Sequence, residues 1–416
     1  MKNITGQMST YLGASIIPMI LNLATNPLIA MNMTPTDYAV SGYYLSYTSL
    51  IGPIISFYLV HYFIKEYYKR DTDGRIRLFA IISKALIYFS GLVSFICFLG
   101  IFVYLKYFNP TFSYPILPYL AMMVFSLPFT GLLTLQQAQY RMERNAKSYF
   151  FLSLKNSLIG VGLLILFIVI FKWGAFGRLL APLICNFVMF LYMIFRFRKI
   201  LNTPIAFKEI KPILIFCLPL SMSATLGYFT NGYSTTALEG IGDTYEYGIY
   251  IIGNTIGLYL NTFAKAISNT FQSDIYQATV SKQWRKLFKF CAIQLSTISF
   301  ICIVFIILAP QIVSILTAGR YTSATIYSQI IALSTLTSGC YYLINDFTIA
   351  IDCPKIYLYT SILSSVFIIV CLPLAINRWA YYGGAWMSVI AFVIYCIFNI
   401  ILLLGVKFKI IPERYK

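Results

Sequence analysis

Three lysines, Lys84, Lys155 and Lys265, sit inside long apolar stretches of the chain. An ammonium group is a compact point charge suited to phosphate, and at the centre of a membrane helix it costs roughly 2.5–3.5 kcal/mol. Each therefore needs a reason to be there. At about 1.5 Å per residue, Lys84 lies roughly 10 Å inward from Arg77 and Lys155 a similar distance from Lys147. By the same rise, Lys265 is about 27 Å below the outer end of its helix, in the same inner half. Each lysine could snorkel to the headgroups on its long stem. Three in one leaflet also fit a cationic cavity open to the inner side, and both accounts stand at this level.

Polar side chains accompany them. Tyr250, Asn254, Gly257, Asn261, Lys265, Ser268 and Gln272 recur at steps of three or four, along one helical face. Lipid satisfies none of these groups, so the stripe must face protein or water. It is either a cavity wall or a helix–helix seam in which small and amide residues act as glue. Thr335, Ser338, Tyr342 and Asp346 make a second stripe. Asp346, a carboxylate well within a span, suits three roles: counter-ion to a lysine, H+ or Na+ coupling site, or interfacial group beside Asp352. Pro18, Asn22 and Asn26 share a face of the first span, where proline permits a bend that serves gating or a fixed kink. His61, the sole histidine, is expected to pack near the inner end of its span.

The elements that must carry these residues follow from composition. Of 416 residues, 59% are hydrophobic and 11% charged, against about a quarter charged in a soluble chain. A bilayer core needs about 20 apolar residues per helix, and stretches such as 78–105 and 287–308 meet that repeatedly. The net charge of +18 is spread over short loops with no separate basic domain, which excludes a nucleic-acid-binding protein. The nine cysteines form no C-x-x-C pair, and one histidine cannot make an H-E-x-x-H site, so no metal site and no resident cofactor are expected. No phosphate-binding G-x-x-x-x-G-K-[ST] loop occurs. The apolar run from Thr10 to Met31 reads as a retained first helix, not a removed signal.

Twelve spans are expected, over 10–31, 38–63, 78–105, 115–137, 149–171, 178–195, 212–236, 245–271, 287–308, 323–351, 356–376 and 385–404. One set of connecting loops and termini holds 23 lysines and arginines and the other set five. That asymmetry places both termini in the cytoplasm. The positive loops attract anionic headgroups of the bilayer without a further partner.

The two halves repeat. Asp37-Tyr-Ala-Val-Ser-Gly42-Tyr-Tyr44 and Asp243-Thr-Tyr-Glu-Tyr-Gly248-Ile-Tyr250 both read D-x4-G-x-Y, 206 positions apart. Gly-rich outer turns, Trp173-Gly174-Ala-Phe-Gly177 and Tyr382-Gly383-Gly384-Ala385, recur at a similar offset. The expected architecture is an all-α polytopic membrane protein of two pseudo-symmetric six-helix bundles, 1–205 and 206–416. Six spans per half relate the halves by an axis along the membrane normal, with a central site between them. A cationic site of this kind suits an anionic amphiphile such as a lipid diphosphate carrying sugars, with Asn, Ser and Tyr bonding the sugar.

These features resemble the Wzx-type polysaccharide flippases of the MOP (MATE-like) exporter superfamily. The stretch Leu135-Gln-Gln-Ala-Gln-Tyr-Arg141-Met-Glu-Arg144-Asn-Ala-Lys147-Ser-Tyr149 is similar to that family's basic fourth-to-fifth loop. Lys211-Pro-Ile-Leu-Ile-Phe-Cys-Leu-Pro219 is similar to the start of its second half. The resemblance covers essentially the whole chain. It implies a flippase, not an enzyme, that moves an undecaprenyl-diphosphate-linked oligosaccharide to the outer leaflet of a bacterial inner membrane for O-antigen or capsule synthesis. A polysaccharide polymerase would be a natural partner. Substrate-binding candidates are Lys84, Lys155, Lys265, Asn254, Asn261 and Tyr250, with Asp346 for ion coupling or as counter-ion and Pro18, Asn22 and Asn26 for gating. The chain departs from strongly cationic members in carrying no arginine in the interior of its spans. The main alternative is a MATE-type drug or metabolite antiporter, which would be expected to use buried carboxylates. A membrane polymerase or ligase is disfavoured because every outer loop is short.

Overall fold

The computed structural model describes residues 20–109, 114–202, 204, 207–350 and 354–407. Among them the chain is helical, with no strand. In order the helices are α1 (20–32), α2 (Pro35–Ser56), α3 (Leu59–Tyr67), α4 (Thr72–Phe108), α5 (Tyr119–Met142), α6 (Ala146–Ile170) and α7 (Gly174–Leu201). Then come α8 (Phe207–Asn231), α9 (Tyr233–Leu238), α10 (Thr244–Val280), α11 (Trp284–Leu316), α12 (Thr325–Ala350) and α13 (Pro354–Lys407). Each of the twelve expected spans falls on helix, the first from residue 20 onward. Among the described residues seven helices are long and apolar enough to cross a membrane, or eight if the bent pair α2–α3 is one span. Helices α10 and α12 are not among them, because their polar stripes lower the mean hydropathy.

Local sequence sets the helix starts. Thr34 and Asp37 form a capping box with Pro35 in the first turn of α2, which satisfies orphan N–H groups and presets φ. Asp71 caps α4 by accepting from Gly74 N–H at 3.1 Å, and Asn145 caps α6 through Ser148 N–H at 3.1 Å. On α4 the usual polarity is inverted. Tyr88, Leu92, Phe95, Ile96 and Leu99 are exposed, whereas Ser83, Ser90 and Ser94 are buried. That arrangement suits hydrocarbon outside, with small hydroxyl residues letting helices approach inside.

Two compact units divide the chain, Met1–Thr225 and Leu226–Lys416, with the boundary inside α8. In the first unit Leu59, Phe63, Leu78, Ile82 and Leu135 pack with Ile213 and Cys217 of α8. In the second, α10 and α12 approach closely at Gly253 and Gly257. A Cβ on Gly253 would lie 2.6 Å from the Ala324 carbonyl oxygen, and one on Gly257 2.8 Å from Ile331 Cβ. Helix α13 reverses at Ala380 (φ 47°, ψ −128°). Leu372 and Ala375 before that point pack against Met387 and Ala391 after it.

The repeat seen in the sequence has a structural counterpart inside each unit. Ala175 N–H donates to Asp37 Oδ1 at 3.0 Å, across 138 positions. Tyr381 OH donates to the Asp243 carbonyl at 2.7 Å, also across 138 positions. The same 206-residue offset carries Asp37 to Asp243 and Ala175 to Tyr381.

Candidate functional site

The two polar stripes meet each other. Asn261 Oδ1 accepts from Ser338 Oγ at 3.2 Å and from Tyr342 OH at 3.3 Å, joining α10 to α12. Tyr250 is fully buried and its ring packs against Tyr327 and Tyr381. Gly257 lies against Ile331, and Ser268 Oγ accepts from Gln294 Nε2 at 2.9 Å. Most of the eighth-span stripe is therefore a seam between helices. Asn261 and Ser268 find protein partners, which is one of the two ways a polar face survives in lipid, whereas the buried Tyr250 hydroxyl has no hydrogen-bond partner among the described residues. Asn254 is half-buried and Lys265 is exposed, while the Gln272 side chain lies outside the described ones. Near the C-terminal end of α12, Asp346 is buried and engaged with neighbouring groups. Beside it Asn345 Oδ1 accepts from Tyr395 OH at 3.0 Å, and Thr348 Oγ1 donates to Asn399 Oδ1 at 3.0 Å.

The cations of the first unit are placed differently from one another. Lys84 is half-buried on α4 and has a partner. Lys155 is exposed on α6 with its ammonium 5.6 Å from the centroid of the Tyr192 ring, within the range at which a cation is drawn to an aromatic face. Neither lines the cavity of this unit, so the structure does not bring them together there. Of the first-span trio, Pro18 lies outside the described residues, Asn22 is exposed and Asn26 is half-buried.

The cavity opens where the second span breaks. Pro53 sits within α2, and Phe57 and Tyr58 both adopt left-handed backbone angles (φ 48° and 54°) before α3 begins at Leu59. The bend between the two helices is 52°. Helix α8 adds side-chain bonds to carbonyls on either side of the break: Ser221 Oγ donates to the Pro53 carbonyl at 2.8 Å and Cys217 Sγ to the Tyr58 carbonyl at 3.6 Å. The space beside the break is about 450 Å³. Its wall includes Tyr58, His61, Ser90, Gln137 and Arg141, and no carboxylate.

The family assignment rests on comparison with known proteins. Residues 82–325 match the family model described as polysaccharide biosynthesis protein, more than half of the chain. The chain belongs to this family. The fold of this polysaccharide biosynthesis protein is similar to that of the lipid II flippase MurJ in an inward closed conformation. The TM-score is 0.70 at 15% identity, with 95% of this chain and 87% of that chain covered. It is equally similar to an inward-facing multidrug-resistance MATE transporter of the MOP superfamily, with a TM-score of 0.70, 13% identity and coverage of 96% and 98%. A variant of the Vibrio cholerae MATE transporter VcmN gives 0.61 at 15% identity, covering 100% and 98%. No curated protein matches by sequence. Family and fold agree: the chain belongs to the polysaccharide biosynthesis protein family, and its fold is that of the MATE transporters and of MurJ.

Sequence reasoning missed Arg141 and the helix break. Arg141 was assigned to a loop, yet it ends α5 and borders the cavity. The signal was Pro53 within an apolar span, because proline inside a helix removes an N–H and crowds the preceding turn.

Proposed function

We propose that this chain moves an undecaprenyl-diphosphate-linked oligosaccharide from the cytoplasmic to the outer leaflet of a bacterial inner membrane by alternating access, serving O-antigen or capsule synthesis. The observation that carries this reading is the family match across 82–325, with which a carboxylate-free cavity wall bearing Arg141 and His61 agrees. In this reading Lys84, Lys155 and Lys265 attract the diphosphate. Asn254 and Asn261, both half-buried on the eighth-span stripe, bond sugar. Tyr250 helps hold that seam. Pro18, Asn22 and Asn26 of the first span serve gating. Both termini lie in the cytoplasm, and the product passes to a polysaccharide polymerase on the outer face.

Carrying two negative charges outward across an inside-negative membrane gains on the order of 4–5 kcal/mol at 100 mV. The cargo's own charge therefore supplies a driving force. Coupling to H+ or Na+ at Asp346 is a separate element of the proposal, and no resident cofactor is needed.

The test is a reconstituted flipping assay with the lipid-linked substrate. Replacing Lys155 and Lys265 together by Gln is expected to reduce transport at least ~10-fold, as loss of charge-assisted phosphate contacts would, with the folded amount unchanged. Transport at the unaltered rate would defeat the assignment. The buried Asp346 favours a second reading, a MATE-type antiporter. That reading predicts uptake of an organic cation driven by a proton gradient and abolished in Asp346→Asn.

A further inference from the structure

The cavity beside the broken second span has the composition of an anion site, and nothing in the family or the fold relatives assigns it. Helix α3 begins there with Tyr58 at its cap, and no side chain caps this end. The first N–H groups of a helix have no intrahelical partner and carry the positive end of its dipole. A half-helix that starts inside a membrane protein is the kind of element that faces anionic groups. The residues at this start, Tyr58, Leu59 and Val60, all border the cavity.

Independent groups converge on the same space. Ser90 of α4 borders it and is 1% exposed, yet its hydroxyl has no hydrogen-bond partner. A buried hydroxyl without a partner is unfavourable, and a ligand oxygen would satisfy it. Arg141 reaches the cavity from the end of α5 and forms no ion pair among the described residues. Its neighbour Glu143 accepts from Gln139 Nε2 at 2.7 Å. His61 stacks on Tyr58 with ring centroids 4.4 Å apart and adds a second basic group. The rest of the wall is largely apolar, including Ile55, Val60, Ile64 and Leu127.

The geometry points to a binding site for the phosphate of an anionic amphiphile, held by the α3 N-terminus, Arg141 and Ser90, with its first carbons on the apolar wall. At about 450 Å³ the space takes a phosphate and a few carbons, so a long tail must leave it toward lipid. The phosphate comes from a bilayer phospholipid or from a polyprenyl cargo. The site is distinct from the lysines assigned to transport, and its test reads binding, so its failure and that of the flippase reading are separable.

The experiment titrates the purified full chain in neutral detergent with undecaprenyl phosphate, phosphatidylglycerol, inorganic pyrophosphate and uncharged dioleoylglycerol, reading affinity by ligand-induced thermal stabilisation. At least one phosphorylated amphiphile should bind more tightly than dioleoylglycerol. Arg141→Gln should weaken it at least ~10-fold and Ser90→Ala a few-fold, as loss of a charge-assisted and a neutral hydrogen bond would, with Lys286→Gln, an exposed lysine of the second unit, neutral. If Arg141→Gln fails to fold, Ser90→Ala and His61→Gln carry the test. Equal binding of phosphatidylglycerol and undecaprenyl phosphate assigns the site to bilayer lipid, and preference for the latter assigns it to cargo. Affinity indifferent to these substitutions, no preference over dioleoylglycerol, or binding of pyrophosphate alone would overturn the proposal.

Discussion

The second span of the first unit and the matching helix of the second unit share a register 206 residues apart, yet they solve opposite problems. In α2–α3 the chain breaks at Phe57 and Tyr58, and the gap becomes a cavity. In α10 the equivalent residues Phe263 and Ala264 lie within a continuous helix of 37 residues. Ile51, Ile55 and Leu59 of the first unit stand where Gly257, Asn261 and Lys265 stand in the second. Tyr47, whose hydroxyl pairs with Tyr43 at 2.9 Å, corresponds to Gly253, where backbone meets backbone. One half has an apolar helix and opens it, while the other has a polar helix and closes it against a neighbour. Anchoring contacts recur at Asp37 and Asp243, while the middle of the span differs.

Substitutions at paired positions would break or sharpen that contrast. The largest effect is expected from Gly253→Leu, because its Cβ meets the Ala324 carbonyl and Tyr327 at 2.6 Å. Overpacking of this kind costs about 3 kcal/mol or more and should sharply lower the melting temperature and yield in detergent. Its partner Tyr47→Phe removes one hydrogen bond and should cost only about 1 kcal/mol. Similar losses at the two positions would contradict a close seam confined to the second unit.

Next come the anchors. Asp37→Ala removes the Asp37 half of the α2 capping box and the acceptor of Ala175 N–H, for about 2–3 kcal/mol. Asp243→Ala removes a side-chain contact to Glu246 N–H and should cost about 1 kcal/mol, because Tyr381 donates to the main chain and keeps its acceptor. Denaturation midpoints of the two variants measure that difference. The smallest effect belongs to helix ends that both units build alike. Arg144 and Lys282 follow α5 and α10 with φ near 55°. Each is followed by an N–H that bonds back to the helix, Asn145 to Tyr140 and Gln283 to Ala278. Replacing either by Gly should raise stability by up to about 1 kcal/mol, equally in the two units.

The sequence showed where helices lie, because apolar length and turn residues are local properties. It also showed the repeat, since Asp37 and Gly174 recur in register as Asp243 and the Tyr381–Gly384 turn. The polar stripes were legible as faces that lipid cannot satisfy. Whether Asn261 meets water or Ser338 depends on the packing of two helices some 77 positions apart, and spacing along one helix does not encode it. The break was less legible. Pro53 marks a weak point, but the left-handed turn at Phe57 and Tyr58 is held by Ser221 and Cys217 of a distant helix. Arg141 was hidden for the same reason, since loop position said nothing of the cavity that α5 borders.

The reversal within α13 turns on one non-helical residue, Ala380, and the arms on either side pack at Ala375 and Met387. A joint this short has no slack to absorb motion. Any tilt imposed on the arm before it is passed to the arm after it, so the last two spans must rock together as a stiff fork.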